Sequence, residues 1–160
     1  MTEVSKASLL ELLAPITDAL AAANLDDPDA LKATLDARFP AGGERFEAVR
    51  ALLRKGVENG TFAERENAGI RFGRVRKAED ENALGVECVH MDQPGPGHTH
   101  PTGEVDLCFA VSGRPSFDGH PEGWVVYGPG SWHVPTVAGG AMDILYFLPG
   151  GQIRFEAKPE

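Results

Sequence analysis

The hydrophobic spacing of this chain changes period once, near Gly69, and that change decides what it can fold into. From Ser8 onward Leu9, Leu13, Ile16 and Leu20 recur at three- and four-residue intervals, with Leu12 and Ala19 widening the stripe, which is the pattern of an amphipathic helix. Pro15 sits inside that pattern and is expected to kink the helix or to mark its true start. Asp27-Pro28 supplies an N-cap followed by proline at the first helical position, and Leu31 and Leu35 lie one turn apart before Phe39-Pro40 stops the run. A third helix is expected from about Glu44 to Glu58, with Phe46, Val49, Leu53 and Val57 inward and Asn59-Gly60 closing it. Each helix is too short to persist alone, so its stripe must be buried against the others, the rest of the chain or another subunit.

Beyond Gly69 the period falls to 2, and short β-rich runs are separated by glycine and proline turn signals. Candidate strands are Ile70 to Arg76, Leu84 to Met91, Glu104 to Val111, Gly123 to Tyr127, Met142 to Leu148, and a last one near Gln152 to Glu156. Many short strands without alternating helices predict a β-sandwich or barrel rather than a parallel α/β sheet. The expected organisation is a helical segment over 1–62 followed by a mainly β domain over 63–160.

At 160 residues, 42% hydrophobic and 24% charged, the chain is about one soluble domain long, and no apolar run approaches the length needed to cross a bilayer. Its start, Met1-Thr2-Glu3-Val4-Ser5-Lys6, lacks the basic and apolar regions of an export signal, so a cytoplasmic address is expected. In that reducing setting Cys88 and Cys108 read as small buried residues on neighbouring strands. A net charge of −9 argues against nucleic acid as a partner, yet it allows an anionic small molecule wherever local arginines reverse the field inside a cleft. A homodimer is expected as the commonest assembly.

Chemistry concentrates in Gly97-His98-Thr99-His100-Pro101-Thr102-Gly103-Glu104 and in Gly130-Ser131-Trp132-His133. Residues i and i+2 of an extended segment face the same way, so His98 and His100 can share one cation. The Pro101-Thr102-Gly103 bend can return Glu104 to the same centre, and the turn at Gly128-Pro129-Gly130 can present His133 from an adjacent strand. An isolated His-x-His reads equally well as a pair of surface-loop histidines; the complete set favours one divalent transition ion, of which iron, manganese, zinc, cobalt and nickel all suit these ligands.

These motifs resemble those of the cupin superfamily. His98, His100, Glu104 and Gly113 fall into its first motif, and Gly130 and His133 into its second. The chain departs from that pattern where Asp92 stands for the opening glycine, where Gly128 and Val137 replace the second motif's proline and asparagine, and where eight residues rather than six separate Glu104 from Gly113. The resemblance implies a double-sheet β-barrel, or jelly roll, that holds a metal through His98, His100, Glu104 and His133. A narrower resemblance covers most of the chain. The helical N-terminal segment, the stretch from His98 to Phe109, the tryptophan-containing block from Asp118 to Pro135 and Ile144-Leu-Tyr-Phe-Leu-Pro-Gly-Gly151 are similar to the 4-hydroxylaminobenzoate lyase family. That implies conversion of 4-hydroxylaminobenzoate and water to 3,4-dihydroxybenzoate and ammonia during bacterial nitrobenzoate breakdown.

Such a reaction needs a proton for the departing oxygen and a counter-charge for the carboxylate. Asp106 shares the strand face of Glu104, which makes it a candidate proton shuttle or orienting group, or else a surface aspartate at a strand end. His120 and Glu122 are candidates for the mouth of the barrel, and Tyr127 and Trp132 for stacking on an aromatic ring, although polar turns and buried core aromatics explain them as well. Of Arg71, Arg74 and Arg76, with 74 and 76 expected on one side, Arg74 is the preferred carboxylate partner; an exposed basic strand edge is the competing explanation. Two other classes remain open: a dioxygenase or isomerase with the same ligands, and a non-catalytic barrel that binds a small ligand.

Overall fold

The computed structural model describes residues 3–159; Met1, Thr2 and Glu160, and with them part of the N-terminal stretch weighed for export, lie outside the described residues. Three helices come first, α1 (Lys6–Ala21), α2 (Pro28–Arg38) and α3 (Glu44–Glu58). Ser5 opens α1 with a capping box: its hydroxyl accepts the Ser8 amide at 3.1 Å, and its own amide donates to Ser8 Oγ at 3.1 Å. The helix continues through Pro15, so the proline does not mark its start. Asp27 caps α2 by accepting the Ala30 amide at 3.2 Å.

Nine strands follow among the described residues: β1 (Arg65–Asn67), β2 (Ile70–Arg76), β3 (Leu84–Met91), β4 (His98–His100), β5 (Glu104–Phe117), β6 (Gly123–Tyr127), β7 (Ser131–His133), β8 (Val137–Pro149) and β9 (Arg154–Phe155). The fold is mainly β, two antiparallel sheets with three helices at the N-terminal end. A six-stranded antiparallel sheet runs in the order β1-β2-β3-β8-β5-β6, and a three-stranded sheet in the order β7-β4-β9. β5 and β8 outrun the expected strands because Ser112 to Phe117 pair back on Val137 to Ala141, with register shifts that the alternation of apolar residues does not reveal.

The large sheet has two apolar faces, which strand alternation separates. Val86, Leu107, Phe109, Leu145 and Phe147 pack under Leu9, Leu13, Leu53 and Val57 of the helices. Met91, Cys108, Val125, Ile144, Tyr146 and Leu148 form a second cluster on the opposite face. The helical stripes are therefore buried within this chain. Trp124 ties the layers by donating from Nε1 to the Phe39 carbonyl at 2.9 Å, and Arg50 donates to the Ala110 carbonyl at 2.8 Å. Cys88 and Cys108 are buried free thiols, but not on neighbouring strands: β8 lies between them, and they point to opposite faces.

Phe62 is fully buried against α3 at Gly56, where an added Cβ would stand 2.0 Å from its ring. Helix propensity alone makes Gly56→Ala stabilising by about 1 kcal/mol. Overpacking a closed core costs about 1–3 kcal/mol, and a clash this close falls at the upper end. We expect Gly56→Ala to lower the urea midpoint of unfolding while leaving metal content unchanged; a raised midpoint would refute the packing argument.

Candidate metal centre

β4 pairs with β7 so that His98 opposes His133 and His100 opposes Ser131, placing all three imidazoles on one face of the small sheet. Glu104, the first residue of β5, faces them from the large sheet and is fully buried. Two turns make this possible, and both are anchored to one atom. The amides of Gly103 and Gly130 donate to the His100 carbonyl at 3.2 and 2.7 Å. Gly103 has φ +90°, and a Cβ there would lie 2.6 Å from Leu25 Cδ2 and 2.9 Å from the Tyr127 carbonyl oxygen, so only glycine makes the bend that returns Glu104.

Each imidazole is held through Nδ1. His133 Nδ1 lies 2.5 Å from Asp118 Oδ2, and His98 Nδ1 lies 3.3 Å from the Pro96 carbonyl. His100 Nδ1 lies 2.8 Å from Ser131 Oγ, whose own hydrogen goes to the Gly128 carbonyl at 2.6 Å. All three partners are acceptors, so every Nδ1 carries a proton, and each Nε2 presents a lone pair whenever its ring is neutral. The Nε2 atoms of His98 and His133 nevertheless sit 3.2 Å apart. His98 Nε2 is 3.4 Å from Glu104 Oε1, and the Nε2 atoms of His100 and His133 are 3.2 and 3.7 Å from Oε2.

Lone pairs and a carboxylate converging in a buried place repel unless a cation lies among them. Both Glu104 oxygens and His100 Nε2 are buried without a hydrogen-bond partner, although some lie within ion-pair range of one another; the orphaned atoms are the more telling fact, since these contacts lack hydrogen-bond geometry. Bonds of about 2.0–2.2 Å to one ion at tetrahedral or octahedral angles put ligand atoms roughly 3–3.5 Å apart. The four donors, all within 4.8 Å of one another, fit that requirement.

Burial opposes ionisation of Glu104, but the imidazoles, His100 foremost, outweigh it and hold its carboxyl well below the usual carboxylate range. Asp106, on the same strand face, is fully buried with neither oxygen partnered. Burial, then the Glu104 charge, pushes its carboxyl well above the usual range. Two carboxyls with pKa values driven apart divide naturally into an ionised ligand and a neutral proton carrier.

The other expected residues are dispersed. Tyr127 faces Glu104 across β5 and β6, but its ring stacks on His100 and tilts against His133, with centroids 5.2 and 4.3 Å away, and its hydroxyl donates to Asp118. It supports the ligands. Trp132 alternates with His133 onto the outer face, where Nε1 donates to the Glu156 carbonyl at 3.0 Å, so the ring platform expected of it is not there. His120 is exposed in the turn after β5, and Glu122 pairs with Arg50 at 2.8 Å instead of lining a mouth. Arg74 is exposed and donates to Glu87 at 3.0 Å. Its row continues through Glu87 and Tyr146 to Asp106, which puts Arg74 on the same face of the sheet as Asp106. A bulge between Arg74 and Arg76 breaks their expected common facing: Arg76 opposes Val86 on the helical side, and Arg71 reaches the Val57 carbonyl of α3.

Asp118 and Tyr146 were not singled out by the sequence. Asp118 also accepts the Thr136 amide at 2.8 Å and adopts φ 50°, but it is far from both motifs along the chain. Tyr146 lies opposite Asp106, its ring 6.4 Å from His98. The even positions of β8 (Ile144, Tyr146, Leu148) signalled a cavity-facing row once the face of β5 was known.

A model of the family described as PnbB, 4-hydroxylaminobenzoate lyase, matches residues 11–155. The chain is 33% identical over 141 residues to the 4-hydroxylaminobenzoate lyase of Nocardioides sp. (strain LMS-CY), covering 81% of this chain and 83% of that one. It is 26% identical over 168 residues to the 4-hydroxylaminobenzoate lyase of Pseudomonas putida, covering 92% and 91%. Among solved structures, a conserved protein with a double-stranded β-helix domain from Klebsiella pneumoniae superposes with TM-score 0.45 at 17% identity, over 64% of this chain and 95% of that one.

In the metal-free protein a proton takes the cation's place. Burial lowers the pKa of His133, but Asp118 and Glu104 more than compensate and push it up to about 9. The imidazole is then protonated below that pH, so a metal ion must displace its proton. Between pH 7 and 8 we expect loading with Mn²⁺ or Zn²⁺ to release about one proton per ion, measured calorimetrically in buffers of different ionisation enthalpy. Release should vanish as pH rises through 9; uptake without release at pH 7 would contradict this protonation state.

Proposed function

Since the chain belongs to the 4-hydroxylaminobenzoate lyase family, we propose that it converts 4-hydroxylaminobenzoate and water to 3,4-dihydroxybenzoate and ammonia at the centre built by His98, His100, Glu104 and His133. The observation that carries this reading is the pair of buried carboxyls, Glu104 among the imidazoles and Asp106 beside it with both oxygens unpartnered. The overall change adds water and removes ammonia, so no external electron acceptor enters. It requires breaking an N–O bond, placing a hydroxyl on the adjacent ring carbon, and hydrolysing an imine-like C–N bond.

A divalent transition ion held by the four ligands would supply Lewis acidity and lower the pKa of a bound water toward neutrality. Asp106 protonates the oxygen that leaves nitrogen, and its carboxylate then accepts a proton from attacking water. Glu104 contributes the negative charge that would hold the ion, and burial favours the protonated form of Asp106. Asp118, Ser131 and the Pro96 carbonyl fix the imidazoles so that no reorganisation is needed during turnover. Arg74 receives the substrate carboxylate, for which its place on the row that runs to Asp106 and its planar guanidinium are the support.

The test is to incubate metal-analysed protein with 4-hydroxylaminobenzoate under strict anaerobiosis, following ammonia and catechol formation. Turnover without dioxygen is expected, and an absolute need for dioxygen would overturn the lyase reading. Asp106→Asn should lower kcat by about 10²-fold or more with metal content retained. Arg74→Ala should raise KM with kcat nearly unchanged, and an unaltered KM would remove Arg74 from the site.

A further inference from the structure

Three large hydrophobic side chains are exposed among the described residues, Val111, Val134 and Phe155, and Phe155 is the aromatic one, 62% exposed. A single exposed apolar residue is ordinary on a protein surface. This one is not placed at random. Phe155 of β9 opposes His98 of β4 in register, and directly opposed residues of an antiparallel pair share a face. The inner row of the small sheet therefore reads His133, His98, Phe155. The Phe155 ring stands edge-on to His98 with centroids 5.6 Å apart.

The stacking of the two sheets fixes what lies opposite. His133 of β7 meets Tyr127 of β6 at 4.3 Å, and His98 of β4 meets Tyr146 of β8 at 6.4 Å. His100 of β4 also meets Tyr127, at 5.2 Å, so β4 lies across both β6 and β8 of the large sheet. β9 is the edge strand of the small sheet, which puts Phe155 at that sheet's border, while Glu87 and Arg74 continue the Tyr146 row on the large sheet. Tyr146 and Phe155 therefore both border the buried His98 ring, one from each sheet, and Phe155 does so while open to solvent.

We propose that Phe155 is one wall of the slot that admits the planar ring of an aryl carboxylate to the centre, with Tyr146 as the facing wall on the large sheet. The inference rests on the lyase reading for the identity of the ligand and adds the residues that select an aromatic ring over a saturated one. Phe155 is a specificity residue. It touches no ligand of the metal except the His98 ring edge, and its exposure is what an unfilled binding wall presents.

The experiment uses metal-loaded protein and two non-reacting probes, 4-hydroxybenzoate and 4-hydroxycyclohexanecarboxylate, titrated calorimetrically into the unaltered chain, Phe155→Ala and Phe155→Leu. Metal content and thermal midpoint are expected to be the same in all three, because the side chain is exposed. The unaltered chain should prefer the aromatic probe, and Phe155→Ala should bind it roughly three- to tenfold more weakly while its affinity for the saturated probe changes less. Phe155→Leu, which restores apolar area without a π-face, should recover affinity for the saturated probe but not the aromatic preference. Equal aromatic preference in all three proteins overturns the slot. If that occurs while the unaltered chain turns over 4-hydroxylaminobenzoate, the inference fails and the lyase reading stands. Absence of both turnover and probe binding overturns the two together.

Discussion

Three imidazoles and a carboxylate brought into one buried space could share a single cation, and the surrounding structure holds them in that arrangement. Every Nδ1 is committed to an acceptor, Asp118, Ser131 or the Pro96 carbonyl, so none of the three rings can turn its Nδ1 edge inward. The two turns that deliver Glu104 and His133 are both bound to the His100 carbonyl. The centre is therefore rigid before any ion arrives.

The same geometry separates the two carboxyls. The surrounding imidazoles outweigh burial and hold the Glu104 carboxyl well below the usual range, whereas burial and then the Glu104 charge push the Asp106 carboxyl well above it. A proton carrier next to a cation site is what cleavage of an N–O bond and hydrolysis of a C–N bond both require. The helices take no part in this chemistry. They cover the far face of the large sheet through Leu9, Leu13, Leu53 and Val57, and the ties from Trp124 to Phe39 and from Arg50 to Ala110 hold the sheet that carries Glu104 and Asp106.

Much of this was legible beforehand, and the exceptions have physical causes. The three helices follow from apolar periodicity and from the Asp27-Pro28 cap, all of them local signals, whereas the Ser5 capping box emerged with the structure. Pro15 proved tolerable inside α1, where packing of Leu13, Ile16 and Leu20 on both sides of it outweighs one lost hydrogen bond. The short strands β1, β4 and β7 carry too few residues for alternation to register, and the outer halves of β5 and β8 are rich in polar residues and glycine. Tyr127 and Trp132 were named as stacking residues from their type alone; which way each ring points was set by strand pairing, and it turned Tyr127 onto the imidazoles and Trp132 outward.

The sequence by itself determined the switch from helix to sheet and the four converging side chains, because period, the i, i+2 relation of His98 and His100, and the glycine turns before Glu104 and His133 are properties of neighbouring residues. Only the tertiary structure decided that Asp118 reaches His133, that Tyr146 lies opposite Asp106, that a bulge parts Arg76 from Arg74, and that Phe155 stands beside His98. Those relations are fixed by register between strands far apart in the chain. A shift of one residue in such a register would send each of these side chains to the opposite face, and no local pattern encodes it.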